Sequence, residues 1–341
     1  MSATNLELPR VIFGTSALGN LYVDLPEETK SMIVSECFVH APHPVVFDSA
    51  GKYGAGLALE MLGKILNKLA ISPSDVIISN KLGWVRVPLK TPEPTFEPGV
   101  WKGLKYDAVQ KISYDGILEC FEQGNELLGG VHLPQLVSVH DPDEYLANAT
   151  TEAEYNKLFN DIIEAYRALT DLKKQGKVHA IGVGAKDWKI IQKLESHINL
   201  DWIMFANSMT IMNHPVELIQ FMEHVKSKGI TIINSAVFQA GFLIGGDYYD
   251  YRKVSPDSPE DKGKFLWREL FHSLCAKYNI KPAVACINFA LKAPGVSSTA
   301  LNTSKPDNVK GNVDSVFANV PADFYTEMKK IGLIKDYCKF V

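Results

Sequence analysis

Long apolar runs are missing from this sequence. No stretch of about 18 apolar residues occurs, so no segment is long enough to cross a bilayer as a helix. The opening segment, MSATNLELPR, lacks the charged start and apolar run of a secretory leader. Basic residues do not cluster, and 35 Lys and Arg against 39 Asp and Glu leave a net charge of −4. These absences predict a cytoplasmic protein with neither membrane nor nucleic-acid partners.

Cysteine is also scarce. The five cysteines are an odd number, lie far apart and form no CxxC motif. A disulfide framework and a zinc site are therefore both unexpected, and we predict no bound metal. Apolar material is abundant, because 46% of the 341 residues are hydrophobic. A chain of this length and composition is expected to fold around a large core.

Short apolar or β-branched runs recur along the whole chain, separated by longer amphipathic stretches. Eight such runs predict strands at 11–17, 45–50, 76–82, 135–141, 180–185, 202–208, 231–237 and 296–301. The stretches between them have helical periodicity, as at 54–69 and 158–175. Alternation of strand and helix requires parallel strands joined by crossover helices.

Eight strand–helix units without a break in composition fit one closed barrel. We therefore predict an α/β protein, a (β/α)8 TIM barrel, in which residues 1–341 form a single domain. The alternative is an open, doubly wound sheet. It is disfavoured because the first strand continues into GTSALG and not into the GxGxxG of a dinucleotide-binding turn.

Two connections are much longer than the usual few residues. Residues 83–112 are rich in proline and contain Trp84 and Trp101, and residues 238–262 are rich in Gly, Tyr and Asp. Both follow predicted strands, so in a barrel both would lie over the C-terminal face, where the active sites of such barrels form.

Four polar side chains come from three consecutive strands near that face. Asp48 and Tyr53 belong to the second strand and its loop, while Lys81 and His140 lie at the ends of the third and fourth strands. Each alone has a structural explanation, such as a helix cap, a rim aromatic, a solvated charge or a hydrogen-bonded imidazole. Together they favour one site, because a lysine that ends an apolar strand is costly unless paired, and Asp48 is the natural partner.

These residue types suit an acid–base centre built on a phenol. A free tyrosine titrates near pH ~10, but an adjacent ammonium stabilises the phenolate, so we expect Lys81 to lower the pKa of Tyr53. Asp48 would keep Lys81 charged. His140 would form a hydrogen bond with the substrate oxygen.

The same four residues resemble the catalytic tetrad of the aldo-keto reductase superfamily in type, order and strand placement. The resemblance extends through VIFGTSALG, GKVHAIGVG and TSKPDNVKGNV, and so over nearly the whole chain. More narrowly, EPGVWKGLKYDAVQKISYDGI, HDPD and NSAVFQAGFL resemble the subgroup of NAD-dependent aldose 1-dehydrogenases that act on L-fucose, D-threo-aldoses or L-galactose. The resemblance implies a barrel enzyme with a nicotinamide dinucleotide across its mouth and no metal.

The resemblance also implies which residues bind the cofactor. The matching positions are Thr15, Val237, Phe238, Gly241, Leu243, Asn302, Thr303, Ser304, Asn308 and Asn312. Asn302, Thr303 and Ser304 supply small polar groups ahead of a predicted helix, which suits phosphate oxygens. Asn207 is a substitute candidate for the nicotinamide amide, because the fifth strand reads GVGA and the sixth has Met204 where relatives hold that group.

The residues near the adenosine ribose bear on the choice of cofactor. NADP-preferring relatives carry a lysine and an arginine for the 2'-phosphate, and the matching residues here are Asn302 and Asn308. Neutral amides bind ribose hydroxyls but do not neutralise a phosphate, so the resemblance implies NAD. Lys305 leaves NADP open as a second cofactor.

Three further residues indicate a small-molecule sugar substrate. Asp141 follows His140, where many relatives have an aromatic residue, and its carboxylate suits sugar hydroxyls. Trp84 and Trp101 suit the apolar face of a pyranose. The structural alternative stays open: Asp141 would cap the helix that starts after Pro142, and the tryptophans would pack their loop down.

These features predict an oxidoreductase that oxidises the anomeric carbon of a cyclic aldose with NAD and releases a lactone. The alternatives are an NADPH-dependent reductase of aldehydes or ketones and a pyridoxal-type dehydrogenase, because the same tetrad works in either direction. A cofactor-binding regulatory subunit, a role that some family members have, is disfavoured by the intact tetrad. The oligomeric state does not follow from the sequence.

Overall fold

The fold is a closed parallel barrel. The computed structural model describes residues 6–250 and 252–341. Each barrel strand pairs with its neighbour along the chain, and the last pairs with the first, where Val11 lies opposite Thr299. The strands are β1 (Val11–Gly14), β2 (Val45–Ala50), β3 (Val76–Leu82), β4 (Leu136–His140), β5 (Ala180–Ala185), β6 (Trp202–Ala206), β7 (Thr231–Ser235) and β8 (Val296–Leu301). The predicted (β/α)8 architecture is confirmed, and a strand lies within each of the eight predicted ranges, although those predicted at 11–17, 135–141, 202–208 and 231–237 are shorter in the structure.

Helices surround the barrel. They are α1 (Glu27–His40), α2 (Leu57–Lys68), α3 (Tyr114–Leu127), α4 (Pro142–Leu146), α5 (Glu152–Lys174), α6 (Trp188–Glu195), α7 (Val216–Ser227), α8 (Lys262–Lys277), α9 (Pro282–Lys292), α10 (Asp307–Phe317) and α11 (Ala322–Lys330). Within residues 6–250 and 252–341, none of the helices combines the length and apolar character needed to cross a membrane.

The starts of two helices differ from the periodicity of the sequence. Helix α2 begins at Leu57 and not at 54, because Gly56 ahead of it adopts a left-handed conformation with φ of 81°. Helix α5 begins at Glu152 and not at 158. There the Thr151 hydroxyl caps the helix by accepting a hydrogen bond from the Glu154 amide at 3.2 Å.

The barrel interior is apolar towards its base and polar at its mouth. The inward-facing apolar cluster consists of Ile12, Val46, Leu136, Ala180, Trp202, Met204 and Ile233. Gly182 makes room for the fully buried Trp202, since a Cβ at this glycine would lie 2.1 Å from the indole. Side chains alternate along a strand, so Asp48 points inward after Val46, as His140 does after Leu136. The alternation therefore carries polar groups to the mouth.

The two long connections contain structure that the sequence did not predict. Residues 83–112 include an antiparallel hairpin of Trp84–Pro88 and Tyr106–Gln110. The prolines of this segment lie between the two short strands or end the first one, which is why the whole segment has the composition of a loop. Residues 238–262 include a turn of 3-10 helix at Phe242–Ile244 and two short strands, Tyr248–Tyr249 and Arg252–Lys253.

Candidate active site

A buried ion pair lies at the centre of the polar mouth. The side chains of Asp48 and Lys81 are 6% and 5% exposed, and the Lys81 ammonium contacts Asp48 Oδ2. Ser79 donates its hydroxyl to the other carboxylate oxygen, Oδ1, at 3.0 Å. Burial alone would lower the pKa of Lys81, but the Asp48 carboxylate and Tyr53 together outweigh it and raise that pKa. Lys81 is therefore a permanent cation inside the barrel.

Tyr53 lies directly over this ion pair. The Lys81 ammonium is 4.7 Å from the centroid of its ring. The turn after Tyr53 contains Gly54 in a left-handed conformation, where a Cβ would lie 2.2 Å from the carbonyl oxygen of Gly19. Only a residue without a side chain permits this contact between the two loops. The segment after β1 thus helps to hold the phenol in place.

His140 completes the group of four. Its ring meets the Tyr53 ring edge-on, with centroids 5.5 Å apart. Burial, followed by the positive charges of Lys52, Lys81 and Lys186, lowers the pKa of His140 well below its ordinary value. At neutral pH the imidazole is therefore uncharged, and with its proton on Nε2 it is a hydrogen-bond donor towards the mouth.

The pKa of Tyr53 differs from the sequence-based expectation. Burial raises it above the ordinary value, and this effect outweighs the charge and hydrogen bond of Lys81, which lower it. The negative charges of Asp48 and Asp141 raise it further. The expectation that Lys81 would make Tyr53 more acidic than a free tyrosine was wrong. Burial destabilises the phenolate by more than the ammonium of Lys81, which is shared with Asp48, stabilises it. Tyr53 is a protonated acid at neutral pH.

Asp141 is part of the site and does not cap a helix. It precedes α4 in a left-handed conformation, with φ of 46°, and its side chain makes no capping hydrogen bond. Its Oδ2 atom lies 3.3 Å from His140 Nε2 and 3.4 Å from Lys52 Nζ. Burial raises the pKa of its carboxyl to about 7, with a further contribution from Glu144 and against the lowering effect of Lys52, so the carboxyl is partly protonated at neutral pH. The capping alternative is thereby excluded for its side chain.

The two tryptophans of the hairpin segment have different surroundings. Trp101 is buried, packs against Tyr53 with ring centroids 5.8 Å apart, and donates Nε1 to Glu97 at 2.6 Å. Trp84 is partly exposed, and the Lys52 ammonium lies 5.5 Å from its ring centroid. Trp101 thus packs its loop against the tyrosine, whereas Trp84 keeps part of its ring accessible.

One set of predicted cofactor residues meets where β1 and β8 end. Thr15, Asn302, Thr303 and Asn312 line a common cavity. The Thr15 hydroxyl donates to the Asp48 carbonyl at 3.1 Å, which joins this cavity to the ion pair. Ser304 and Asn308 are exposed beside it, where α10 begins at Asp307 after Pro306.

A second set follows β7. The side chains of Val237 and Leu243 are buried and that of Phe238 is partly buried. Gly241 is left-handed, with φ of 93°. The side chains of Val237 and Leu243 are therefore used in the core, and what these residues offer to a ligand is their backbone.

Asn207 lies apart from both sets, directly after β6. Only one of the two polar atoms of its side-chain amide has a hydrogen-bond partner in the described residues. Its Nδ2 atom donates to Asp250 Oδ1 at 3.0 Å. Its Oδ1 atom, the Ser208 hydroxyl and Gln239 Oε1 are buried and have no hydrogen-bond partner among residues 6–250 and 252–341. Buried polar atoms normally have hydrogen-bond partners. The two amide oxygens and the hydroxyl are therefore suited to form hydrogen bonds with the amide group of a bound ring.

Several residues of the site were not predicted from the sequence. Ser79 was predictable from the sequence, since it lies two residues before Lys81 and its side chain therefore faces inward as that of Lys81 does. The sequence indicates Lys52 less clearly, through its position next to Tyr53. Glu97 lies in the hairpin segment and Glu144 in α4, and they pair with Lys52 at 2.8 and 3.0 Å; no sequence pattern links either of them to Lys52.

A closed parallel barrel with a tyrosine, a lysine, an aspartate and a histidine at its mouth suits acid–base chemistry by a phenol. The model of the Aldo/keto reductase family matches residues 10–332, and the chain belongs to this family. The family uses nicotinamide cofactors.

Three curated relatives are dehydrogenases. The chain is 26% identical to pyridoxal 4-dehydrogenase of Microbacterium luteolum, over 98% of this chain and 97% of that one. It is 23% identical to D-threo-aldose 1-dehydrogenase of a Pseudomonas species, over 98% and 97%. It is 22% identical to L-galactose dehydrogenase of Arabidopsis thaliana, over 97% and 88%.

Solved structures share the fold at low identity. A glycerol dehydrogenase from Gluconobacter oxydans superposes with a TM-score of 0.70 at 18% identity, covering 98% of this chain and 95% of that one. An aldo-keto reductase from Bacillus halodurans gives 0.69 at 19% identity, covering 98% and 97%. These likenesses agree with the barrel.

Proposed function

We propose that the protein is an aldose 1-dehydrogenase that oxidises the anomeric carbon of a cyclic aldose to a lactone, with NAD as its preferred cofactor. The observation that carries the proposal is the carboxylate of Asp141, 3.3 Å from His140 Nε2. An apolar carbonyl substrate has no hydrogen-bond donor for a carboxyl oxygen beside its reacting oxygen, whereas a ring bearing several hydroxyls has several. The relatives named for aldoses support the same substrate class.

The four residues have distinct roles in the proposed reaction. Tyr53, as phenolate, takes the proton of the anomeric hydroxyl while the C1–O bond becomes a carbonyl. Lys81 stabilises the phenolate, and Asp48 holds Lys81 in place. His140 Nε2 donates a hydrogen bond to the reacting oxygen and orients C1. The nicotinamide ring, when bound, accepts the hydride that leaves C1.

The residues that would hold the cofactor follow from the three groups at the mouth. Asn207 Oδ1 would accept from the nicotinamide amide, and the backbone of 237–243 would contact the pyrophosphate. Thr15, Asn302, Thr303, Ser304 and Asn312 would bind the adenosine end, together with Asn308. Asn302 and Asn308 are neutral and exposed, which supports NAD because a 2'-phosphate calls for cationic partners.

A second substrate class is supported by the relative that shares 26% identity, which is named for pyridoxal. Pyridoxal carries an aldehyde beside a hydroxymethyl group and closes to a cyclic hemiacetal, as aldoses do. Oxidation of that hemiacetal also yields a lactone. The same four residues would act on either ring, and Asp141 would pair with the pyridinium nitrogen instead of a sugar hydroxyl.

Initial rates with the purified protein test the proposal. L-fucose, L-galactose and pyridoxal are each supplied with NAD or with NADP, and formation of the reduced nicotinamide is followed by absorbance. We expect turnover of an aldose with kcat/KM higher for NAD than for NADP. Turnover of pyridoxal alone would favour the second substrate class. Activity confined to NADPH and an aromatic aldehyde would contradict both.

The pH profile should reflect the raised pKa of Tyr53. Oxidation requires the phenolate, whose fraction rises about tenfold per pH unit below the pKa, so kcat/KM for oxidation should climb from pH 7 to 9. Reduction of 4-nitrobenzaldehyde requires the protonated phenol and should stay level over the same range, which makes it an internal control. A level profile for oxidation would contradict the assignment.

A further inference from the structure

Lys52, the residue before Tyr53, is a buried lysine outside the group of four. Its side chain is 6% exposed, and its ammonium lies 2.8 Å from Glu97, 3.0 Å from Glu144 and 3.4 Å from Asp141. Burial alone would lower the pKa of Lys52, but these carboxylates outweigh it and raise that pKa. A buried cation of this kind is costly unless it is paired, and here two segments of the barrel mouth supply the partners, the hairpin segment with Glu97 and the residues after β4 with Asp141 and Glu144.

The carboxylates around Lys52 do not depend on it equally. Glu144 also pairs with Lys186 at 2.6 Å, and Glu97 also accepts the indole N–H of Trp101. Asp141 forms an ion pair with Lys52 at 3.4 Å, and its Oδ2 atom lies 3.3 Å from the ring nitrogen Nε2 of His140. Because His140 is neutral at neutral pH and Lys186 lowers the pKa of Asp141 less than Lys52 does, Lys52 is the main cation that fixes the position of the Asp141 carboxylate.

The backbone of Asp141 also points to a site held in place. Its φ of 46° and ψ of 58° are uncommon for a residue with a side chain, although aspartate tolerates them better than most. Since the side chain does not cap α4, the conformation brings no benefit to that helix. It does direct the carboxylate to the reacting side of His140. Backbone strain of this kind is often found where a functional group must be aimed.

We propose that Lys52 is a positioning residue for substrate specificity, which holds the Asp141 carboxylate beside His140 so that it accepts a hydrogen bond from a hydroxyl of a polyhydroxylated ring. The inference rests on the proposed function and adds the element that selects a sugar over an apolar carbonyl. Lys52 itself does not touch the reacting atoms. Removing its charge frees Asp141 to turn away, and a substrate with ring hydroxyls loses a partner that an apolar aldehyde never had.

The test compares two substrates in one set of variants. For the wild type, Lys52→Met, Lys52→Arg, Asp141→Asn and the double variant Lys52→Met/Asp141→Asn, kcat/KM is measured for oxidation of L-fucose and for reduction of 4-nitrobenzaldehyde. The quantity of interest is the ratio of the two values. We expect Lys52→Met and Asp141→Asn each to lower that ratio roughly tenfold to a hundredfold, which is the effect of losing one charge-assisted hydrogen bond. The change should appear mainly as a higher KM for the sugar.

The other variants separate positioning from general damage. The double variant should lower the ratio no further than either single change, because both act through one carboxylate. Lys52→Arg should retain part of the ratio, since it keeps the charge. Lys64→Met is the matched control: Lys64 forms an ion pair with Glu27 at 2.7 Å on the surface, so its loss should leave both activities unchanged.

Several outcomes would overturn the inference. Equal losses for both substrates in Lys52→Met leave the ratio unchanged and assign Lys52 a structural role only. An unchanged ratio in Asp141→Asn would also overturn the inference. This isosteric variant provides the test if Lys52→Met does not fold. Failure of the proposed function shows separately, as a wild type that reduces 4-nitrobenzaldehyde but oxidises neither L-fucose nor L-galactose.

Discussion

Replacing Tyr53 by phenylalanine should lower kcat by roughly 10²- to 10⁴-fold, the range that a positioned acid–base group contributes. The change removes a single hydroxyl. The ring contacts with Trp101 and His140, at 5.8 and 5.5 Å between centroids, remain available. The Lys81 ammonium keeps Asp48 as its partner, so no buried charge is left alone. Steady-state rates of the proposed oxidation, with L-fucose and NAD, measure the loss.

Cofactor affinity distinguishes a lost proton donor from a damaged site. Quenching of tryptophan fluorescence by NADH should give nearly the same Kd for Tyr53→Phe and the wild type. Tyr114→Phe is the matched control, because the Tyr114 hydroxyl donates to Asp171 on the helical exterior at 3.1 Å, and its loss should not affect turnover. If NADH affinity fell in proportion to activity, the role of Tyr53 as the acid–base group would be refuted.

Replacing Lys81 by methionine should cost both activity and stability. The Asp48 carboxylate, 6% exposed, would keep its hydrogen bond from Ser79 but lose its cation. Removing one partner of a buried ion pair typically costs about 3–5 kcal/mol, so we expect the free energy of unfolding in urea to fall by about that amount. Turnover should fall as well, since Lys81 stabilises the phenolate of Tyr53.

A second change separates the two losses. In Lys81→Met/Asp48→Asn the carboxylate becomes a neutral amide, which still accepts from Ser79 and no longer needs a cation. This double variant should recover part of the lost stability, while its turnover stays as low as that of the single variant. A single variant with wild-type stability would show that the pair is not desolvated. Recovery of turnover in the double variant would show that Lys81 acts only by supporting the fold.

The substitutions of Tyr53 and Lys81 both concern one property of the site, the pKa of the Tyr53 phenol. Desolvation raises the pKa of Tyr53 and the ammonium of Lys81 lowers it. A protonated phenol is ready to donate in the direction of reduction, whereas oxidation has to remove its proton first. The same site therefore supports both directions, and pH shifts the balance between them.

Much of the fold was predictable because it depends on local patterns. Eight apolar runs alternating with amphipathic segments sufficed for the barrel, since parallel neighbours need crossover helices. The hairpin of Trp84–Pro88 and Tyr106–Gln110 was missed because its strands are short and the segment between them has the composition of a loop. The start of α2 was misplaced because periodicity does not register the left-handed turn at Gly56.

By itself, the sequence determined the barrel and the grouping of Asp48, Tyr53, Lys81 and His140, because strand order and the alternation of side chains along a strand bring these residues to one mouth. The tertiary structure alone decided their charge states and their neighbours. Burial reversed the expected shift in the pKa of Tyr53. It also brought Lys52 between carboxylates from separate loops, which spacing along a chain does not reveal. Electrostatic energies depend on distance and on exclusion of water, and both exist only after the chain has folded.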